Sequence, residues 1–283
     1  MAKRDGTAGP APVELLAPSE RRIFALVHGC VRHLGGVQVA WNHLFMVNVV
    51  RMLAGGRLDV RGLEHLAPLD RSSRVIFVAN HRSFFDFFVI GAMLYTRTKL
   101  GQRIIFPVRS PFFYDHALGV LVNAVMSGLT MYPPILRDAE RGAFNRWAVD
   151  RCVDWLAQPG HHVGFHPEGS RNKGDDPYVL LRAQPGVGRV ALASADVTIV
   201  PVFVLGLSNS LGAEVVRQLR GLRARLGGAP PPERIAVWFG PPVDVEDLRA
   251  KSNRVSTQLE CAQRCMAAIE RMAHRHRDEA RST

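Results

Sequence analysis

The sequence predicts an α/β protein: a mixed, largely parallel sheet flanked by helices, preceded by an N-terminal helical segment that associates with a membrane. Three observations carry this reading. From Leu58 onward, short apolar runs alternate with stretches of helical periodicity, a pattern that builds a parallel or mixed sheet covered on both faces. Between His33 and Val50 no Asp, Glu, Lys or Arg appears. The 283 residues carry a formal net charge of +11, which draws the protein towards nucleic acid or the anionic face of a membrane. With 47% hydrophobic and 22% charged residues, the composition is that of a folded chain.

Residues 1–18 are rich in Ala, Pro and Gly and read as a loose tail. The basic start "MAKRDGTAGPAPVELL" leads into no apolar h-region, so no signal peptide is expected. Residues 19–56 read as two helices broken at Gly35-Gly36. The charge-free stretch is at the lower edge of a membrane span, yet Gln38, Asn42, His43 and Asn48 interrupt it on more than one face. An interfacial or partly inserted hairpin fits this pattern better than a full span or a buried helix.

Residues 57–283 form the main domain. Its strand candidates are 75–80, 103–108, 128–133, 161–166, 197–206 and 234–240. A helix is predicted over 139–157, where Phe144, Trp147, Ala148, Cys152, Trp155 and Leu156 recur at helical spacing before Pro159-Gly160. Val255, Leu259, Ala262, Met266, Ile269 and Ala273 mark a C-terminal amphipathic helix, and 227–233 is a surface loop. Cys30, Cys152, Cys261 and Cys265 match no zinc spacing. Cys261 and Cys265, one helical turn apart, read as packing residues of a protein in a reducing compartment.

The chemistry begins at "NHRSFFDFF", residues 80–88. His81 sits where a strand gives way to a loop, the usual place for chemistry in such sheets. Ser83 and Asp86 have the form of a capping box, which predicts a helix start at Ser83. On one continuous helix His81 and Asp86 would point roughly 140° apart, so a contact between them needs a break at Ser83. Asp86 held against His81 would fix its tautomer and stabilise the imidazolium, inside phenylalanines that exclude water. The alternative is a plain helix cap beside an incidental histidine.

A second loop, "FHPEGSRNKG" (165–174), follows another strand candidate. Arg171, Ser170 and the backbone near Gly169 suit a phosphate monoester, with Glu168 orienting Arg171 or a neighbouring backbone group. Arg137, after the run "YPPI", offers a third basic site.

"NHRSFFD" followed by "PEGSR", then by "IVPVFVLG" and "FGPPV", resembles the glycerolipid acyltransferase family over residues 57–245. The resemblance implies His81 as general base with Asp86 as its partner. It also implies an acceptor-phosphate site at Glu168, Gly169, Ser170 and Arg171, joined by Arg137. It makes 57–283 an acyltransferase domain. The family's reaction takes an acyl group from acyl-CoA or acyl carrier protein and gives it to a lysophospholipid such as 1-acylglycerol-3-phosphate. Neither metal nor cofactor is expected. An anionic membrane at the cytoplasmic face is the expected partner surface, and no nucleic-acid motif accompanies the charge. Two rivals are a metal-dependent hydrolase built on His81, His161, His162 and His166, and a catalytically idle membrane binder.

Overall fold

Alternation along one strand sets the layers. In Arg74–Ala79, Val75, Phe77 and Ala79 enter one core, while Ile76 and Val78 enter the other. Successive strand side chains point to opposite faces, so a strand written as an unbroken apolar run needs cover on both. The computed structural model describes residues 8–54, 56–136, 138–208, 210–227, 233–251 and 254–282.

The strands are β1 (Leu58–Arg61), β2 (Arg74–Ala79), β3 (Arg103–Ile105), β4 (Val108–Arg109), β5 (Pro134–Ile135), β6 (His161–Phe165), β7 (Val197–Leu205) and β8 (Ile235–Phe239). Six of them form one sheet in the order β1-β8-β7-β2-β6-β3, and β4 pairs with β5 apart from it. Within the main sheet only the β7–β8 pair runs antiparallel. The main helices are α1 (Pro18–His33), α2 (Gly35–Ala54), α3 (Asp86–Arg97), α4 (Ala117–Ser127), α5 (Gly142–Leu156), α6 (Gly186–Ala193), α7 (Leu211–Arg225) and α8 (Val255–Arg281). Side chains of α5, α6 and α8 share a core with Ile76 and Val78, and those of α2 and α3 share the other with Val75 and Phe77. Cys152, Cys261 and Cys265 are buried in the first core.

Several elements differ from the sequence expectation. Residues 128–133 form no strand: α4 ends at Gly128 in the left-handed conformation, and the next short strand is β5. The run 103–108 divides into β3 and β4 at Phe106-Pro107, because proline has no N–H for the ladder. The turn between α1 and α2 falls at Leu34 and bends the chain by 93°. Gly35 then opens α2, where a Cβ would lie 1.5 Å from Arg103 Nη1. That guanidinium donates to Val31 O at 3.1 Å, so the glycine allows α1, α2 and β3 to meet.

The stretch 8–17 is not loose. Leu16 is buried, Trp147 Nε1 donates to Gly9 O at 2.9 Å, and Ala8 N–H donates to Asp154 at 3.0 Å. Residue 56 marks no packing boundary either. Phe24, Val27 and Val31 of α1 lie in one core, and Met46, Val47 and Val50 of α2 lie in the other. Among the described residues no single helix is long and apolar enough to cross a membrane, although the bent α1–α2 pair passes by length and composition.

Candidate active site

The site is assembled by two adjacent strands. β2 and β6 are parallel neighbours with Val78 opposite Phe165, so the residues that follow them leave the same sheet end side by side. Asn80 fixes where the first of these departs. Its Nδ2 donates to Val204 O and its Oδ1 accepts from Val204 N–H, both at 2.8 Å, which continues the β2–β7 ladder through a buried side chain.

His81 is held by its peptide as well as its ring. Its N–H donates to Glu168 Oε2 at 3.2 Å, and its carbonyl accepts from Asn172 N–H at 2.7 Å. Its Nδ1 lies 3.0 Å from Asp86 Oδ2. That carboxylate oxygen also accepts from the N–H groups of Arg82 and Ser83, each at 2.9 Å. The capping box is therefore half formed. Asp86 reaches back to Ser83 as expected, but Ser83 Oγ accepts from Phe85 N–H at 3.1 Å, and α3 begins at Asp86 rather than Ser83. The extra turn at 84–85 supplies the break that brings His81 and Asp86 together.

Asp86 is sealed, with its side chain 1% exposed, whereas that of His81 is 22% exposed. Burial, helped by the charges of Arg171 and Arg109, lowers the His81 pKa to about 3. Burial raises Asp86 to about 6, against the opposing pull of His166 and the Ser83 and Arg82 N–H groups. Near neutral pH the pair is thus a neutral imidazole on an ionised carboxylate. An acceptor at Nδ1 assigns the ring proton there and leaves the Nε2 lone pair for a substrate proton.

The second loop does its holding with Glu168. Its two oxygens accept from His81 N–H and from Leu181 N–H at 3.3 Å, and burial raises its pKa to about 7. Of the two tasks considered for this carboxylate, orienting a backbone group is the one the geometry displays. Gly169 adopts φ of +67°, a conformation open to glycine, and its N–H donates to His166 O at 3.0 Å. Ser170 is half-buried beside it. The Arg171 guanidinium lies 5.1 Å over the Phe84 ring. Arg137 lies outside the described residues.

A family model described as Acyltransferase matches residues 57–205, more than half of the chain. The chain belongs to the Acyltransferase family. It is an acyltransferase, and both of its signature loops fall inside the matched span. No curated protein matches it. Seven chains of solved structures do. One is the 1-acyl-sn-glycerophosphate (LPA) acyltransferase PlsC from Thermotoga maritima, at 13% identity and a TM-score of 0.40, over 87% of this chain and 93% of that one.

The candidate site contains one residue that the sequence reading placed with the hydrolase alternative. His166 stacks on His81 with ring centroids 3.7 Å apart and planes 9° from parallel. Its Nδ1 lies 2.9 Å from Ala79 O, and Phe87 flanks it at 4.1 Å. Burial above all, then the charge of His81, lowers its pKa to about 3. The signal was available: His166 directly follows β6, the strand beside β2, two residues before Glu168.

His81, Asp86 and His166 bring ligand-type atoms within 4.8 Å of one another. A metal ligand, however, directs its lone pair within the ring plane, and two stacked parallel rings direct theirs side by side rather than at a common point. His161 and His162 of the hydrolase reading lie elsewhere, facing the carbonyls of Pro159 and Gly101 at 3.0 and 2.8 Å. The arrangement fits acid–base chemistry better than metal binding.

Proposed function

We propose that this acyltransferase moves a fatty acyl group from an acyl thioester, acyl-CoA or acyl carrier protein, to the hydroxyl of a lysophospholipid such as 1-acylglycerol-3-phosphate. The observation that carries this reading is the His81–Asp86 pair: a neutral imidazole, oriented by a sealed carboxylate, at the carboxyl end of a parallel strand. His81 Nε2 takes the proton of the acceptor hydroxyl as its oxygen attacks the thioester carbonyl. Asp86 stabilises the imidazolium so formed. Collapse of the tetrahedral intermediate breaks the carbon–sulfur bond, and the departing sulfur recovers the proton from His81. General-base assistance of this kind contributes roughly 10²–10⁴-fold.

The transfer is direct in this reading. Ser83 Oγ is buried and turned to Phe85 N–H, so this hydroxyl does not stand beside the base as a covalent nucleophile. The acyl donor is a substrate, and the reaction needs no cofactor or metal. The charges of Arg171 and Arg109, both felt at His81, suit an acceptor that bears a phosphate. Glu168 serves as a positioning residue for His81 rather than as a phosphate ligand.

The enzyme works, on this proposal, at the cytoplasmic face of the membrane, peripheral or partly inserted. Leu26, Val37, Trp41 and Leu44 of α1 and α2 are exposed, with Leu118 and Leu121 of α4. Exposed apolar patches of this kind mark interaction surfaces, and the net positive charge matches an anionic bilayer. The test is an assay of wild type and His81→Ala with lysophosphatidic acid, glycerol 3-phosphate and lyso-aminolipid acceptors, each with acyl-CoA and acyl carrier protein donors. Wild type should favour the lysophospholipid, and the folded variant should lose at least about 100-fold in turnover. A folded His81→Ala protein of near-normal activity sinks the mechanism.

A further inference from the structure

A cavity of about 690 Å³ lies away from His81. Arg103 and His161, which line it, open β3 and β6. His81 follows the far end of β2, so the length of the parallel strands separates the two places. We propose that this cavity is a second binding site, for a phosphate-bearing anion, distinct from the acyl-transfer centre.

Three guanidinium groups line it, from Arg32 of α1, Arg103 of β3 and Arg151 of α5. Arg103 and Arg151 stand over the same Trp155 ring, 5.1 and 5.9 Å from its centroid. Arg103 directs one nitrogen to Val31 O, and Arg151 is hydrogen-bonded to the Tyr132 hydroxyl, while its Nε is buried with no hydrogen-bond partner. Asp154 is the one carboxylate in the lining among the described residues, and it accepts from Ala8 N–H at 3.0 Å. The field left over is positive: His28 in the wall is held below its ordinary pKa by burial and by Arg151 and Arg32.

Desolvated guanidinium charge is costly unless an anion compensates it. Here the described lining provides one carboxylate for the half-buried Arg103 and Arg151, with the exposed Arg32 adding a third positive charge at the mouth. Phosphate suits the gap because it accepts the planar donor forks of arginine two bonds at a time. The cavity falls within the usual range for small ligands, and Trp147 and Trp155 supply an apolar wall for the rest of the molecule. Two sources share this chemistry: a soluble phosphate ester, or a lipid headgroup reached past α1.

Tryptophan fluorescence of the full chain is the readout, since two of its four tryptophans line the cavity. The soluble probes are inorganic phosphate and glycerol 3-phosphate. The membrane probe is phosphatidylcholine vesicles with and without phosphatidic acid. We expect a saturable change with at least one probe, unaltered in His81→Ala. Arg151→Gln and the exposed Arg32→Gln should each raise Kd at least about tenfold. Saturation by a soluble probe assigns the site to a free ester, and saturation by phosphatidic-acid vesicles alone assigns it to a headgroup. No saturable change with any probe overturns the proposal. So does a Kd unmoved in a folded Arg32→Gln protein, or binding lost in His81→Ala.

Discussion

Asp86→Asn separates the electrostatics of the site from its architecture. Asp86 Oδ2 accepts three bonds, from His81 Nδ1, Arg82 N–H and Ser83 N–H, while Oδ1 is buried without a partner. An asparagine placed there keeps its carbonyl oxygen on the three donors, because its NH₂ group would face two backbone N–H groups if flipped. The His81 tautomer is therefore preserved and only the charge is lost. Burial holds Asp86 at about 6 against an ordinary 3.8, which makes the ionised form cost about 3 kcal/mol. The amide removes that cost, so thermal stability at pH 8 should hold or rise. Catalysis moves the other way. A carboxylate 3.0 Å from the imidazolium contributes about 5 kcal/mol at an effective dielectric of ~20. Even half of that is about 100-fold in kcat. Initial rates with saturating donor and acceptor, set beside thermal unfolding, give both quantities. Near-normal turnover in Asp86→Asn, or activity lost only in step with stability, would refute the reasoning.

Glu168→Gln leaves one of two backbone N–H groups facing an NH₂, so kcat should fall about 10- to 100-fold from a buried hydrogen bond of ~1–3 kcal/mol; a purely acceptor-KM effect would instead make Glu168 a phosphate ligand. His166→Phe keeps the stack and loses the bond to Ala79 O, so it should retain more activity than His166→Ala, and comparing their pH profiles tests whether the stack orients His81. Arg171→Ala should raise the acceptor KM by roughly 10- to 100-fold with the donor KM nearly unmoved, which steady-state kinetics with each substrate varied would show. Because Asp86 holds its charge only above about 6 and His81 stays neutral to about 3, the acid limb of kcat/KM should fall at about 6 or below rather than at an ordinary histidine value. Stability has the opposite contributors: His81, His162 and His166 have lowered pKa values, so their share is lost as pH falls from about 6.5, whereas Asp86 and Glu168 have raised values, so theirs is lost as pH rises towards 7. With three such histidines against two carboxyls, the unfolding temperature should fall progressively as pH drops from about 6.5 to about 4 and level off near 3, where the folded histidines protonate as well; calorimetric scans across that range check it.

The parallel core was legible because strands buried on both faces are written as apolar runs: β6, β7 and β8 fall within predicted segments, and β2 is displaced from its segment by one residue. The failures have physical causes. Gly128-Leu129 takes left-handed backbone that ends α4 instead of starting a strand. Gly35 looked like a helix breaker, yet it is the first residue of α2, with the Arg103 guanidinium packed against it. His81, Asp86 and the 165–174 loop were legible from residue type and spacing. Their partners were not, since Asn80 binding Val204 and His166 stacking on His81 depend on which strands adjoin. Sequence spacing carries no information about strand order.

Strand order also explains why the two loops work as one device. The His81 peptide donates to Glu168 on one side and accepts from Asn172 on the other, so both bonds come from the chain leaving β6. The imidazole ring is positioned from its own loop by Asp86 and from the β6 side by His166. A shift of β6 against β2 by one residue would break the peptide clamp and the ring stack together, because a one-residue slip exchanges the two faces of a strand. Gly164 guards that register: a Cβ there would lie 2.3 Å from the Phe106 ring and 2.7 Å from Phe87, the residue that backs His166. The His81 imidazole is therefore oriented by the sheet itself. Gly164, the fourth residue of β6, thus belongs to the geometry around His81 although it lies outside both signature loops.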